Sequence, residues 1–375
     1  MNPIQMVDLR TQYLRIKPEM DAAVQHVLDS TAFIQGSPVQ EFEEKLAQHT
    51  GSKHVISCGN GTDALTAALM ALGIGPDDEV ITVPFTFIAT VEAIALTGAT
   101  PVFADIHENT FLMDVQKLEA VITPKTKAII PVHLYGQCAD MEAILNMAEK
   151  HHISVIEDAC QAIGTEYTFS DGCVKQAGTM GNIGCLSFFP SKNLGCYGDG
   201  GALMTEDDEL AARLRSVCRH GSTRRYHHDR IGMNSRLDTL QAAILNVKLK
   251  HLNEYIAARQ KAATYYQQAL CDVKWISLPK QAPHSTHTYH QLTLRVKNGK
   301  RDELKQYLAD NGIPSMIYYP IPAHLQPAYR NLNGKEGAFP ISEQCCREVI
   351  SLPMHTELSE EQLHYICQTI QKFAL

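Results

Sequence analysis

The chain lacks a long apolar run: none of its 375 residues belong to a stretch of the ~18 apolar positions that a membrane-crossing helix needs. It lacks a positive balance as well. Lys and Arg number 33 against 41 Asp and Glu, for a formal net charge of -8, so nothing general attracts nucleic acid or an anionic membrane surface. Any anion must be held by a local site. No C-x-x-C pair occurs, and the 11 Cys are odd in number and scattered from Cys58 to Cys367, which favours reduced thiols over a disulfide scaffold. Met1 to Arg10 lacks the basic segment and apolar stretch of a secretion leader. Repeats and low-complexity segments are absent too, and the expectation is a soluble cytoplasmic protein. At roughly 150 residues per domain the length suggests two or three domains.

What is present alternates. From His54 onward, short apolar runs are followed by helical patterns: His54 to Ser57 then Ala64 to Leu72, Glu79 to Val83 then Ile88 to Leu96, Pro101 to Asp105 then Val115 to Ile122. Ala128 to Val132, Met141 to His151 and Ser154 to Glu157 continue the series, which reads as an α/β fold around a mainly parallel sheet. Further strands are expected at Cys185 to Phe189 and Gly201 to Thr205, and a helix from Asp208 to Arg219. Apolar positions recur at helical spacing from Leu237 to Leu270 without Gly or Pro, predicting one long helix about 237–270 that links two domains. These are a large domain over residues 1–245 and a smaller α+β domain over 246–375.

Three features carry chemistry. Cys58-Gly59-Asn60-Gly61-Thr62-Asp63-Ala64-Leu65 is a strand-to-helix turn whose free amides, helix end and Thr62 hydroxyl suit a phosphate, although Gly and Asn also serve as plain turn residues. Ile153 to Asp158 is an apolar strand ending in two carboxylates, where open α/β sheets place ligands; Asp158 could equally cap a helix. Lys192 lies between the aromatic run Phe188-Phe189 and the glycine-rich stretch Gly195 to Gly201, where desolvation would leave a neutral, nucleophilic amine. A phosphate cradle, a strand-end Asp and a downstream Lys are together what pyridoxal 5'-phosphate requires.

Those runs, with Ser187-Phe188-Phe189-Pro190-Ser191-Lys192 and Gly232-Met233-Asn234-Ser235-Arg236-Leu237-Asp238, resemble the DegT/DnrJ/EryC1/StrS sugar-nucleotide aminotransferase family over about Met6 to Ile370. The resemblance implies the aspartate-aminotransferase type fold (fold type I) and a homodimer with active sites at the subunit interface. It makes Lys192 the Schiff-base lysine and Asp158 the partner of the pyridine nitrogen. Gln161 would contact the ring hydroxyl region, and Phe87 would stack on the ring unless it packs as core. Gly61, Thr62, Asp63 and Ser187 would hold the phosphate, with Asn234 reaching in from the neighbouring subunit. Some relatives have His at the lysine position and remove a sugar hydroxyl; the retained Lys192 favours transamination.

Between Arg213 and Arg236 Arg and His crowd together against one acid, Asp229. On the early helix they read as solvated; Arg224-Arg225-Tyr226-His227-His228 and Arg236 read as a site for a diphosphate or a carboxylate. This stretch and Tyr319-Pro320-Ile321-Pro322 most resemble the subgroup that aminates C3 of UDP-2-acetamido-2-deoxy-3-keto-hexuronate for bacterial surface polysaccharide. Thr31, Phe33, Ser191, Arg225, His227, His228, Arg236, Tyr318 and Tyr319 are then the expected sugar-nucleotide contacts, departing from that subgroup at Thr31, Phe33 and Tyr318. The expected partners are L-glutamate, released as 2-oxoglutarate, and a nucleotide-linked keto-sugar. No metal is implied: His284, His287 and His290 are spaced by three, but they straddle a loop and a strand. The alternatives are amination of a dTDP-linked 3-keto or 4-keto-deoxysugar, and a non-catalytic regulatory protein that retains the fold.

Overall fold

Seven strands build the central sheet of the computed structural model, which describes residues 3–332 and 334–373. Met1, Asn2, Asn333, Ala374 and Leu375, included in the expected domain spans, lie outside the described residues. In chain order the strands are β1 (His54–Cys58), β2 (Glu79–Thr82), β3 (Thr100–Phe103), β4 (Thr126–Ile129), β5 (Ser154–Asp158), β6 (Glu166–Thr168), β7 (Val174–Gln176), β8 (Ile183–Ser187) and β9 (Gly201–Thr205). The large sheet runs β1-β9-β8-β5-β4-β2-β3, with β9 antiparallel to both neighbours and every other pair parallel. β6 and β7 form a separate hairpin.

Alternation along the strands feeds two apolar layers. Val55, Ile81, Ile129, Val155 and Met204 join one core with Phe42 and Leu46 of the helix Ser37–Thr50 and Ile144 of Met141–His151. Ile56, Val80, Ala128, Ile156 and Leu203 face the other, with Leu65 and Leu69 of Gly61–Ala71, Ile94 of Ala89–Leu96 and Leu214 of Asp208–Val217. The α/β architecture, with a large, mostly parallel mixed sheet and helices on both faces, is the one expected from the strand–helix alternation.

Two expectations are corrected. Val115 to Ile122 is not an α-helix but two 3₁₀ turns, Val115–Lys117 and Glu119–Val121; Thr123-Pro124 follows at once, and proline disfavours helical backbone at the residue before it. The segment 237–270 is not one helix but two, Thr239–Leu249 and Leu252–Leu270, parted where the His251 amide bonds to Lys248 O at 3.0 Å in a tighter turn.

Beyond β10 (Ser222–Arg224) and β11 (His227–His228), a short hairpin, the chain forms β12 (Ile276–Ser277), β13 (Leu292–Val296) and β14 (Val349–Leu352). These three pair antiparallel and pack with Tyr266, Leu304 and Ile366 from three helices in a second, smaller core. Leu252 and Ile256, by contrast, pack in the core of the large sheet.

Candidate active site

The carboxyl ends of β5 and β8 open into a cavity of about 620 Å³, where sheets of this type bind ligands. Its wall begins with Asn60, whose side chain caps the helix Gly61–Ala71 by accepting the Asp63 amide at 2.8 Å. The amides of Gly61 and Thr62 precede the first intrahelical bond and point outward from a positive helix end. A Cβ on Gly61 would lie 2.8 Å from Ser187 Cβ and 2.9 Å from Cys160 Sγ, so only glycine lets β8 and this turn approach so closely.

β5 turns its two carboxylates to opposite faces. Glu157 is fully buried away from the cavity and accepts the amides of Gly178, Met180 and Gly181 and the His133 ring N–H. Asp158, 6% exposed, faces the cavity. The Thr90 hydroxyl donates to it at 2.7 Å and the Cys160 amide at 3.2 Å. Thr86 in turn lies 3.1 Å from the Thr90 hydroxyl, so a relay of hydroxyls fixes the carboxylate.

Lys192 enters from the loop after β8, its own amide bonded to Phe189 O at 2.8 Å. Burial lowers its pKa below the ordinary lysine value, while Cys160 and Asp158 pull the other way. His290 lines the same cavity; burial and the charges of Lys192 and Arg259 hold it well below the usual imidazole value, so it is neutral. The Phe87 ring is 54% exposed, with Tyr319 packed obliquely beside it at 5.9 Å between centroids. Gln161 accepts the Tyr135 amide at 2.9 Å and donates to the Tyr319 hydroxyl at 3.1 Å. Burial pushes the Tyr319 phenol up, so it keeps its proton and can donate it into the cavity. The bond between Tyr318 and Tyr319 is cis.

The residues present fit pyridoxal phosphate. An aromatic face left bare in a cavity, a desolvated amine, a buried carboxylate and a helix start with spare amides are the complement of its ring, aldehyde, ring nitrogen and phosphate. Of the expected contacts, Gly61, Thr62, Asp63, Phe87, Asp158, Gln161, Ser187, Ser191, Lys192, Tyr318 and Tyr319 line this cavity together. The Asp63 carboxylate accepts the Ser235 hydroxyl at 2.6 Å and its amide donates to Asn60 Oδ1 at 2.8 Å, which ties the segment carrying Asn234 to the turn. Thr31, Phe33, Arg225, His227, His228, Asn234 and Arg236 are exposed and do not line the Lys192 cavity of their own chain. Arg225 sits at the turn of the β10–β11 hairpin with its guanidinium over the Tyr226 ring. His284 packs on Tyr167 and His287 stacks on Tyr289, whereas His290 lines the cavity. Thr86, Thr90, Cys160, His290 and Gln291 also line the cavity; Thr90 and Gln291 had no distinguishing sequence pattern, and His290 stood out only in the series with His284 and His287.

The DegT/DnrJ/EryC1/StrS aminotransferase model matches residues 14–371. The chain belongs to the DegT/DnrJ/EryC1/StrS aminotransferase family. It is 48% identical over 367 residues to a UDP-2-acetamido-2-deoxy-3-oxo-D-glucuronate aminotransferase of Pseudomonas aeruginosa, covering 98% of this chain and 99% of that one. It is 49% identical over 374 residues to a pleiotropic regulatory protein of Geobacillus stearothermophilus, covering 99% and 98%. The crystal structure of DesV from S. venezuelae superposes with a TM-score of 0.95 at 40% identity, covering 99% of this chain and 98% of DesV. Enzymes of the DegT/DnrJ/EryC1/StrS family are pyridoxal-phosphate-dependent, and this chain is an aminotransferase that uses that cofactor on sugar nucleotides. Among the described residues no helix is long and apolar enough to cross a membrane.

Proposed function

We propose that the chain, working as a cytoplasmic homodimer, moves the amino group of L-glutamate to C3 of UDP-2-acetamido-2-deoxy-3-keto-hexuronate, on a route to diacetamido-uronic acids of surface polysaccharide. The observation that carries the transfer chemistry is the desolvated Lys192 amine facing a cavity floored by Asp158. The P. aeruginosa relative, nearly full length at 48% identity, supports the substrate.

When bound, pyridoxal phosphate supplies an electron sink for the bond that breaks at the amino-bearing carbon. Asp158, held by the Thr90 hydroxyl, would face the pyridine nitrogen and favour a positive charge there. Gly61, Thr62 and Ser187 would offer the phosphate amides and hydroxyls, and Phe87 an aromatic face for the ring. Lys192 Nζ would hold the cofactor's aldehyde and, as a desolvated amine in the cavity, would also be the base at hand for the exchange. Its lowered pKa suits it to take a proton and return it on the other side of the exchange. The same amine serves both halves of the cycle, glutamate to 2-oxoglutarate and keto-sugar to amino-sugar. Arg225, His227, His228 and Arg236, all exposed, are the groups we assign to the diphosphate and the sugar carboxylate. A neighbouring subunit brings them and Asn234 to the cavity, with Thr31 and Phe33 at its rim.

The test is to incubate the purified enzyme with L-glutamate and a panel of UDP- and dTDP-linked keto-sugars, following the visible absorbance of the lysine-bound cofactor and the product mass. Loss of that absorbance with glutamate and amination of the UDP-keto-uronate are expected. Amination of non-uronate sugars alone overturns the substrate. A cofactor spectrum insensitive to glutamate overturns the donor and favours the regulatory reading, which the G. stearothermophilus relative represents.

A further inference from the structure

Lys248 is a second buried lysine, 1% exposed, on the helix Thr239–Leu249. Its Nζ donates to Gly195 O at 2.5 Å and stands 5.1 Å from the centre of the Tyr197 ring, both in the loop that carries Lys192. Among the described residues no carboxylate lies within ion-pair distance of it. One helical face below, Gln241 accepts the Tyr197 amide at 2.8 Å; residues seven apart share a helix face, so the loop is clamped at two points by one helix. The loop cannot easily find another path. A Cβ on Gly195 would meet Pro190 O at 2.4 Å, and Cys196 Sγ reaches back to Phe188 O at 2.9 Å.

We propose that Lys248 is a positioning residue for the transamination: its ammonium grips Gly195 O and the Tyr197 ring and so fixes the loop that aims Lys192 at the cavity. This rests on Lys192 as the reacting lysine. Burying an ammonium against one carbonyl and one ring face is costly, and no packing need is met that a Met side chain would not meet; the charge is kept for the grip it provides. The groups facing it are Cys196 and Tyr197 of the loop and Arg259 of the helix Leu252–Leu270, with Tyr13 and Asp21 beyond the Tyr197 ring. Burial, with the Arg259 charge adding to it and Cys196 opposing, pushes the Lys248 amine down to about 8. The grip is therefore full below that pH and weakens above it.

The experiment compares cofactor-loaded wild type with Lys248→Met in the single-turnover reaction with L-glutamate, across about pH 6.5 to 9.5. The variant is expected to load the cofactor with a normal spectrum and to react roughly tenfold more slowly near neutral pH, since a small misplacement of a reacting group is enough for that loss. The gap should close as the pH passes about 8. Equal rates, or a ratio that does not change with pH, overturn the proposal. Should Lys248→Met fail to fold, Tyr197→Leu keeps the charge and removes the ring, with a smaller slowing that again closes around pH 8 expected; an unchanged profile there overturns the proposal equally. A wild-type enzyme that glutamate leaves unaltered refutes the transamination reading, and this inference with it. A responsive wild type with matching variants refutes this inference alone.

Discussion

The Thr90 hydroxyl donates to the buried Asp158 carboxylate at 2.7 Å, joining the helix Ala89–Leu96 to the end of β5 at the floor of the cavity. The bond replaces water: a carboxylate with so little exposure needs donors from the protein, and Thr90 and the Cys160 amide supply them. Thr90→Val keeps the shape and removes the donor. It is expected to slow the half-reaction with glutamate by roughly tenfold, a charged hydrogen bond being worth ~1.5–3 kcal/mol. Cofactor affinity should change little. Stopped-flow absorbance checks both, and an unaltered rate contradicts this role for Thr90.

Gly61 sets how closely the phosphate turn approaches β8. Gly61→Ala places a Cβ 2.8 Å from Ser187 Cβ, so either the turn or the strand end must move. Weaker cofactor binding by roughly tenfold or more is expected, as core overpacking usually costs ~1–3 kcal/mol. Equilibrium dialysis against pyridoxal phosphate measures it, and wild-type affinity would show that the close approach is unimportant.

Glu157 reads beside Asp158 as a second candidate acid, yet its work is structural. Glu157→Ala strands three buried amides and the His133 ring, and a stability loss of about 3–5 kcal/mol is expected. Denaturant unfolding of the cofactor-free protein measures this directly. A loss below about 1 kcal/mol contradicts the assignment.

The lowered Lys192 pKa gives a pH dependence with a definite sign. Burial penalises the ammonium, so the folded protein releases this proton at lower pH than a free lysine does. The rate of cofactor capture should therefore rise with pH through a midpoint below the ordinary lysine value of about 10.4. By the same linkage, protonation of Lys192 costs the empty protein stability below that midpoint; the stability is regained as pH rises toward the unfolded value. A capture midpoint at or above that of free lysine contradicts the desolvation argument.

Much of this was legible in the chain because the signals were local. Strand–helix alternation set the sheet, and the turn at Gly61, the strand end at Asp158 and Lys192 converge because all three follow the carboxyl edge of one parallel sheet. Thr90 was not legible, and His290 was legible only as one of three evenly spaced His, not as a cavity residue. A Thr in an apolar helix and a His on a loop take their meaning from strands far away in sequence. The bond between the Asp63 carboxylate and Ser235, a partner 172 residues on, was equally out of reach of a local motif. Asn234 and Arg236 are exposed, and the role proposed for them needs a second chain to face them. Their assignment rests on the sequence motif and the chemistry of Arg, and they do not line the cavity of their own chain.

The central claim is that Lys192, of two buried lysines with lowered pKa, bears the cofactor. Borohydride reduction of the cofactor-loaded protein, followed by peptide mass mapping, tests this most directly. The account predicts the added pyridoxyl mass on the peptide containing Lys192, and its disappearance in Lys192→Ala. The mass on the peptide containing Lys248, or on no lysine at all, would contradict it.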